Sequence, residues 1–172
     1  MEASHKPIIE VGMTFSRNYG IPVIPSSAIK GSLAHYLKNN GLLGEHFKDL
    51  FGEDTKESED SENVRGCLIF LEAIPKSDLK FGVDIVNNHF KPYYMNSDYP
   101  PNDWYNPVPV TYITISEGTF RFTLLKDNTQ NTLPNEIFAD VSKHLKQMLS
   151  ESGIGAKTNY GYGRFKSSGV GS

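Results

Sequence analysis

The chain has one cysteine, Cys67, and five scattered histidines: His5, His35, His46, His89 and His144. A disulfide framework within the chain is thereby excluded, and so is a Cys/His zinc cluster. A reducing, cytoplasmic compartment is the natural setting. No apolar run reaches the ~18 residues of a membrane span, and Met1 to Lys6 has no apolar core like a secretory leader's. A soluble, unexported protein without a membrane partner is expected. Charge of one sign is also missing, with 17 basic residues set against 20 acidic ones.

What is present is a chain of 172 residues, 38% apolar and 22% charged, with 10 Phe, 9 Tyr and 1 Trp. That composition is too apolar and aromatic for intrinsic disorder. Its length predicts a single domain over residues 1–172. The charge is unevenly placed. Glu53, Asp54, Glu57, Glu59, Asp60 and Glu62 crowd one stretch with Lys56 as the only base, and 53–63 reads as a mobile surface loop. From Gly153 to the end there are Lys157, Arg164 and Lys166 and no acid. A polyanion partner is therefore compatible with the acidic balance, because a binding face is a local property.

Hydrophobic periodicity orders the elements. Ile9, Val11, Met13 and Phe15 alternate with other residues and predict a strand over about 8–16. Pro25-Ser26-Ser27 ahead of Ile29, Leu33, Tyr36 and Leu37 predicts a serine-capped helix over about 27–39. A short amphipathic piece at Leu43, Phe47, Leu50 and Phe51 ends at Gly52. Strands are expected at Cys67 to Leu71 and through Phe81, Val83 and Ile85. Residues 91–107, rich in proline and aromatics, read as an ordered excursion. Two further strands, Val108 to Ile115 and Thr119 to Leu125, flank Glu117-Gly118, a hairpin-type signal. A long helix then runs from Pro134, in its first turn, to near Gly153, and a terminal strand is expected around Gly163 to Lys166. This order predicts an α+β fold of the ferredoxin-like kind, an antiparallel sheet with helices on one face and a Gly-rich C-terminal loop.

Two segments carry chemistry. In Gly153-Ile-Gly155-Ala-Lys157-Thr158-Asn159-Tyr160-Gly161-Tyr162-Gly163-Arg164, glycines let backbone amides approach an anion while cations and aromatic faces are added. A phosphodiester strand suits this mixture. A phosphate-loop NTPase does not, since Ala156 and Glu151 stand where that motif needs glycine. A dinucleotide fingerprint fails because the segment follows a helix. The plain alternative is a helix C-cap followed by a turn. The second segment is Ser26-Ser27-Ala-Ile-Lys30-Gly31. A lysine in a helix's first turn opposes the macrodipole by about 0.3 to 1 kcal/mol, and a glycine within a helix costs about 1 kcal/mol. An anion at the helix start would offset both, and Gly31 would admit another backbone. A solvated Lys30 and a helix-packing Gly31 are the plain alternative.

Taken together, Ile21-Pro-Val-Ile-Pro-Ser-Ser-Ala-Ile-Lys-Gly and the Gly153 to Phe165 run resemble the two signatures of the RAMP superfamily of CRISPR proteins. Asn88-His89-Phe90 with Tyr93-Tyr94 and the run Asn106 to Thr111 look like the branch formed by sixth subunits of type III-B (Cmr) effectors. The resemblance covers most of residues 8–166. It implies an RRM-related core that binds CRISPR RNA, a single-stranded guide, toward its 3′ end among other subunits of a type III-B effector. By position it places Ser26, Ser27, Lys30 and Gly31 on backbone phosphate, and Gly153 to Arg164 in an RNA loop. It implies antiviral defence without catalysis, with no cofactor, metal or small-molecule substrate.

Two other roles compete. Related RAMP proteins cleave RNA by acid-base chemistry, for which His35 is the candidate here. Its i−4 and i+4 neighbours, Gly31 and Asn39, supply neither an orienting carboxylate nor a second base. His89 beside Phe90 reads as structural or stacking. Asp84, Asp98 and Asp103 have no metal-ligand spacing. The last role is that of a solitary copy, a decoy or inhibitor docking on effector subunits through the aromatic excursion.

Overall fold

Spaced apolar side chains and the prolines beside them decide where the helices begin. In chain order the elements are α1 (Ser26–Asn39), α2 (Phe47–Phe51, entered through a 3-10 turn at Gly44–His46), β1 (Leu68–Phe70), β2 (Ile74–Pro75), β3 (Lys80–Asn88), β4 (Val108–Glu117), β5 (Phe120–Arg121), β6 (Leu124–Lys126) and α3 (Asn135–Glu151). A second 3-10 turn follows at Thr158–Tyr160. The structure, a computed structural model, describes residues 13–52, 65–88, 108–129 and 133–167. The start of the first expected strand at 8–12, the acidic loop 53–63, His89 and the excursion 91–107 lie outside the described residues. Helices combine with antiparallel pairs, an α+β arrangement, and contacts divide the chain into two compact units.

The unit of Ile24–Ile74 and Phe122–Ser172 holds both long helices. α1 packs on α3 and β1. Ile29, Leu33 and Leu37 recur at every fourth position of α1 and are buried, as are Val141, Leu145, Met148 and Leu149 on α3. Removing each such side chain from water stabilises the fold by about 1.5–3 kcal/mol. β1 pairs antiparallel with β6, setting Leu68 opposite Lys126 and Phe70 opposite Leu124. Cys67 is buried beside that pair, and its N–H donates to the Asp49 carbonyl at 2.8 Å. Burial pushes its thiol pKa up.

Both helix starts differ from expectation in one respect. Pro25 and Pro134 are themselves the N-caps, and no side chain caps either helix. Their fixed φ leaves the carbonyl aimed along the helix, so Pro25 O accepts from Ala28 and Ile29, and Pro134 O accepts from Ile137. Ser26 is thus the first helical residue of α1 and caps nothing. At α3, Lys126 Nζ lies 4.6 Å from the Phe138 ring centroid and donates to Leu133 O at 3.3 Å, tying β6 to the helix start.

The unit of Met1–Val23 and Pro75–Arg121 is built on the ribbon of β3 and β4. Val108–Glu117 and the strands after it do not form the expected hairpin at Glu117-Gly118. β4 pairs with β3, from Asn88 opposite Val108 to Lys80 opposite Glu117. The ten-residue β4 satisfies its hydrogen bonds on β3, and the later segment is short, broken into β5 and β6. One ribbon face carries Tyr112, buried, whose hydroxyl donates to Asp84 Oδ2 at 3.2 Å. The other carries Phe81, Val83 and Ile85, all exposed. Of the first expected strand, the described part makes a lone antiparallel bridge from Phe15 to Pro22 across the turn at 16–21.

Candidate nucleic-acid interface

α3 ends where its last carbonyls meet glycine. The amides of Ser152 and Gly153 both donate to Met148 O at 2.9 Å, and Gly153 takes a left-handed φ of 75°. The chain beyond forms a closed ribbon. Ile154 N–H donates to Gly163 O at 3.0 Å across its base, and Phe165 N–H donates to Leu149 O at 2.9 Å. The strand expected at Gly163 to Lys166 is absent, because Phe165 bonds to the end of α3 instead of to a sheet. Its ring also meets Phe122 edge-on at 5.3 Å. A Cβ on Gly163 would overlap the Ile154 carbonyl, so this glycine closes the ribbon.

The tip is built differently. Lys157 adopts a left-handed φ of 60°, a conformation costing about 1–2 kcal/mol for a residue with a Cβ. The 3-10 turn behind it offsets this, with Tyr160 N–H on Lys157 O at 2.9 Å and Gly161 N–H on Thr158 O at 3.0 Å. Gly155 and Gly161 would meet nothing within 4 Å among the described residues if given a Cβ. Tyr160 is 85% exposed, and Asn159 and Arg164 are exposed as well, while Lys157, Thr158 and Tyr162 are half-buried. Among the described residues no carboxylate pairs with Arg164. The ribbon is open at its tip and locked at its base.

Beside the ribbon is a cleft of about 430 Å³. Gly153, Gly155, Thr158, Asn159 and Arg164 line it from the ribbon. Across from them stand Ser32, His35, Tyr36 and Asn39, one stripe of α1, together with Glu151 at the end of α3. The Tyr36 hydroxyl donates to Glu151 Oε2 at 2.8 Å. Desolvation, and then that carboxylate, raise the Tyr36 pKa. The Asn39 amide nitrogen lies 2.9 Å from His35 Nε2, and Asn40 Nδ2 donates to Tyr36 O at 2.8 Å.

Not every expected residue reaches this cleft. Ser26, Ser27, Lys30 and Gly31, at the start of α1, are outside its lining, and so, on the ribbon, are Lys157, Tyr160, Gly161, Tyr162 and Gly163. Gly31 is exposed and a Cβ there would meet nothing within 4 Å among the described residues, so it packs against none of the described helices. Lys30 is exposed too. Sequence reasoning missed Tyr36 and Glu151. A signal existed for the second: an acid as the last residue of a helix opposes the macrodipole, and α3 ends on Glu151 with no base in its last turn. Among the described residues, no three His, Cys, Asp or Glu side chains form a group that could hold a metal ion, and no helix is long and apolar enough to cross a membrane.

Residues 5–166 match the family model of the RAMP superfamily. The CRISPR system Cmr subunit Cmr6 of Pyrococcus furiosus is 27% identical over a match covering 91% of this chain and 61% of that protein. The CRISPR system CMR subunit Cmr6 of Saccharolobus solfataricus is 26% identical, covering 94% of this chain and 50% of that protein. The chain thus spans between half and about three-fifths of the length of these curated relatives. A chain in the cryo-EM structure of the Type III-B Cmr-beta bound to cognate target RNA superposes with a TM-score of 0.62 at 24% identity, over 89% of this chain and 47% of that one. The likeness to that chain is one of fold.

Proposed function

The chain belongs to the RAMP superfamily, and from that premise we propose that it is a non-catalytic, guide-binding subunit of a type III-B CRISPR effector ribonucleoprotein in the cytoplasm. In this reading a ferredoxin-like, RRM-related core carries the ribbon Gly153 to Arg164, which holds the backbone of CRISPR RNA toward the 3′ end of the guide. Ser26, Ser27, Lys30 and Gly31 form a second, separate phosphate contact at the start of α1. Other effector subunits are the protein partners, and the role is antiviral defence without cofactor or small-molecule substrate.

The observation that carries the reading is the ribbon's construction. Its base is fixed by the Ile154–Gly163 hydrogen bond, its tip offers glycine backbone that no described residue crowds, and it presents an exposed tyrosine and an exposed arginine. Amides and a cation hold phosphate, and an aromatic face stacks on any base, so variable sequences are accepted. The relatives named above support the assignment to an effector, as does the fold shared with a chain of a complex bound to target RNA.

The test is RNA affinity against salt for Lys157→Ala, Arg164→Ala and the double variant. Each single change is expected to weaken binding and to flatten log K against log salt by roughly one unit per lost phosphate contact. A double variant with unchanged affinity and salt response refutes the ribbon as the RNA site. Cleavage by His35 is the second reading, favoured by its place in the cleft with Glu151. Its Nε2 is paired with Asn39, and Glu151 is held by Tyr36. Incubating repeat RNA with the wild type and with His35→Ala decides it, since cleavage lost in the variant would establish the nuclease.

A further inference from the structure

The cleft between the ribbon and α1 has two chemically different sides. Toward the ribbon it offers donors: the Arg164 guanidinium, the Thr158 hydroxyl and the Gly155 N–H, which has no partner among the described residues. Toward the helices it offers acceptors. Glu151 is a carboxylate, and Tyr36 occupies one acceptor position on Oε2, leaving Oε1 and the remaining lone pairs. The amide nitrogens of Asn39 and Asn40 each spend one N–H locally, on His35 Nε2 and Tyr36 O, and their carbonyl oxygens accept from no described residue.

A carboxylate beside a polyanion path needs a reason, because it repels phosphate. Arg164, which lines the same cleft, offsets part of that repulsion, and a donor on the strand facing the carboxylate would turn the rest into an attraction. Base edges carry donors, but which ones depends on sequence, and a carboxylate facing them would select guanine, whose adjacent N1–H and N2–H₂ match its two oxygens. A subunit that accepts variable guides cannot rely on such a choice. The donor that every ribonucleotide carries, whatever its base, is the 2′-hydroxyl.

We infer that Glu151, oriented by Tyr36, accepts a hydrogen bond from a ribose 2′-hydroxyl in this cleft, so that the subunit distinguishes RNA from DNA while remaining indifferent to base sequence. The inference rests on the ribbon being the RNA site. Arg164 and the open amide take the phosphate on the donor side, and the same nucleotide's ribose turns to the acceptor side. Tyr36 is a positioning residue, since its hydroxyl points at the carboxylate and fixes its rotamer.

The experiment is a cycle over protein and ligand. Affinities of the full chain are measured for a uridine oligonucleotide, its 2′-deoxy and 2′-O-methyl counterparts, and a uridine oligonucleotide with one guanosine, using the wild type, Glu151→Gln and Tyr36→Phe. The wild type should bind the ribose strand about ten-fold or more tighter than either modified strand, as one charge-assisted hydrogen bond allows. Glu151→Gln should shrink that ratio several-fold, and Tyr36→Phe should shrink it part of the way. Glu151 is exposed at a helix end, so the glutamine variant should fold.

Equal loss of affinity for all strands in Glu151→Gln, or equal gain through relief of repulsion, gives no coupling between residue and sugar and overturns the inference. Selection of the guanosine strand that vanishes in Glu151→Gln overturns it in favour of base reading. Wild-type binding of ribose and deoxyribose strands alike, with the salt response still dependent on Lys157 and Arg164, sinks this inference alone. No binding to any strand removes the RNA-binding reading with it.

Discussion

Gly163→Ala isolates the feature on which the ribbon depends. Gly163 has a φ of 68° and a Cβ built there overlaps the Ile154 carbonyl, whereas Gly161 has a φ of 90° and an open surrounding. At either position alanine meets the left-handed penalty of about 1–2 kcal/mol. At Gly163 the overlap also pushes the two segments of the base apart, weakening the Ile154–Gly163 hydrogen bond, a further ~1 kcal/mol. Relaxation is restricted, because Ile154 is buried and Phe165 is tied to Leu149 and Phe122. The sum is about 2–3 kcal/mol for Gly163→Ala against about 1–2 for Gly161→Ala. For a chain of this size that is a fall in Tm of roughly 4–12 °C against roughly 2–8 °C. Thermal melts followed by circular dichroism, alongside RNA titrations, measure both. Equal Tm values for the two variants would mean that the close approach at Gly163 is not what closes the ribbon.

Other perturbations test separate parts of the molecule. Leu33→Ala, at a fully buried position of α1, should cost about 2–5 kcal/mol in urea unfolding, and a loss below 1 would show the helix to be loosely packed. Asp127 accepts from Thr129 Oγ1 at 2.6 Å and from its N–H at 3.0 Å, and with Arg65 nearby these hold its pKa below the ordinary 3.8. Its contribution is therefore complete above the ordinary carboxylate range and disappears as pH falls through the lowered value. Asp127→Asn should remove that part of the acid dependence, read as a shallower loss of stability between the two pH limits. The raised Tyr36 pKa works in the opposite sense. Its contribution is present below the ordinary value of 10.0 and is lost as pH climbs through the raised one, a loss that Tyr36→Phe should abolish in alkaline unfolding curves. The Cys67 thiol, buried and with a raised pKa, should resist a thiol reagent in the native protein and react at once in denaturant.

Period and punctuation by themselves determined the helices of this protein. The apolar spacing of Ile29, Leu33 and Leu37, and of Val141, Leu145 and Met148, placed α1 and α3 within a residue or two, because one helix face must be buried whatever it packs against. The glycines of the C-terminal run were legible as the end of a helix followed by turns, since backbone permissiveness is a local property. Strand partners were not legible: β4 pairs backward with β3 rather than forward across Gly118, a choice made by hydrogen-bond register over distance. Nor could local patterns tell that Gly163 closes the ribbon while Gly155 and Gly161 leave it open. The meeting of Tyr36 and Glu151, 115 positions apart in the chain, was decided by how α1 packs on α3. A contact of that kind belongs to no segment, and only the folded chain contains it.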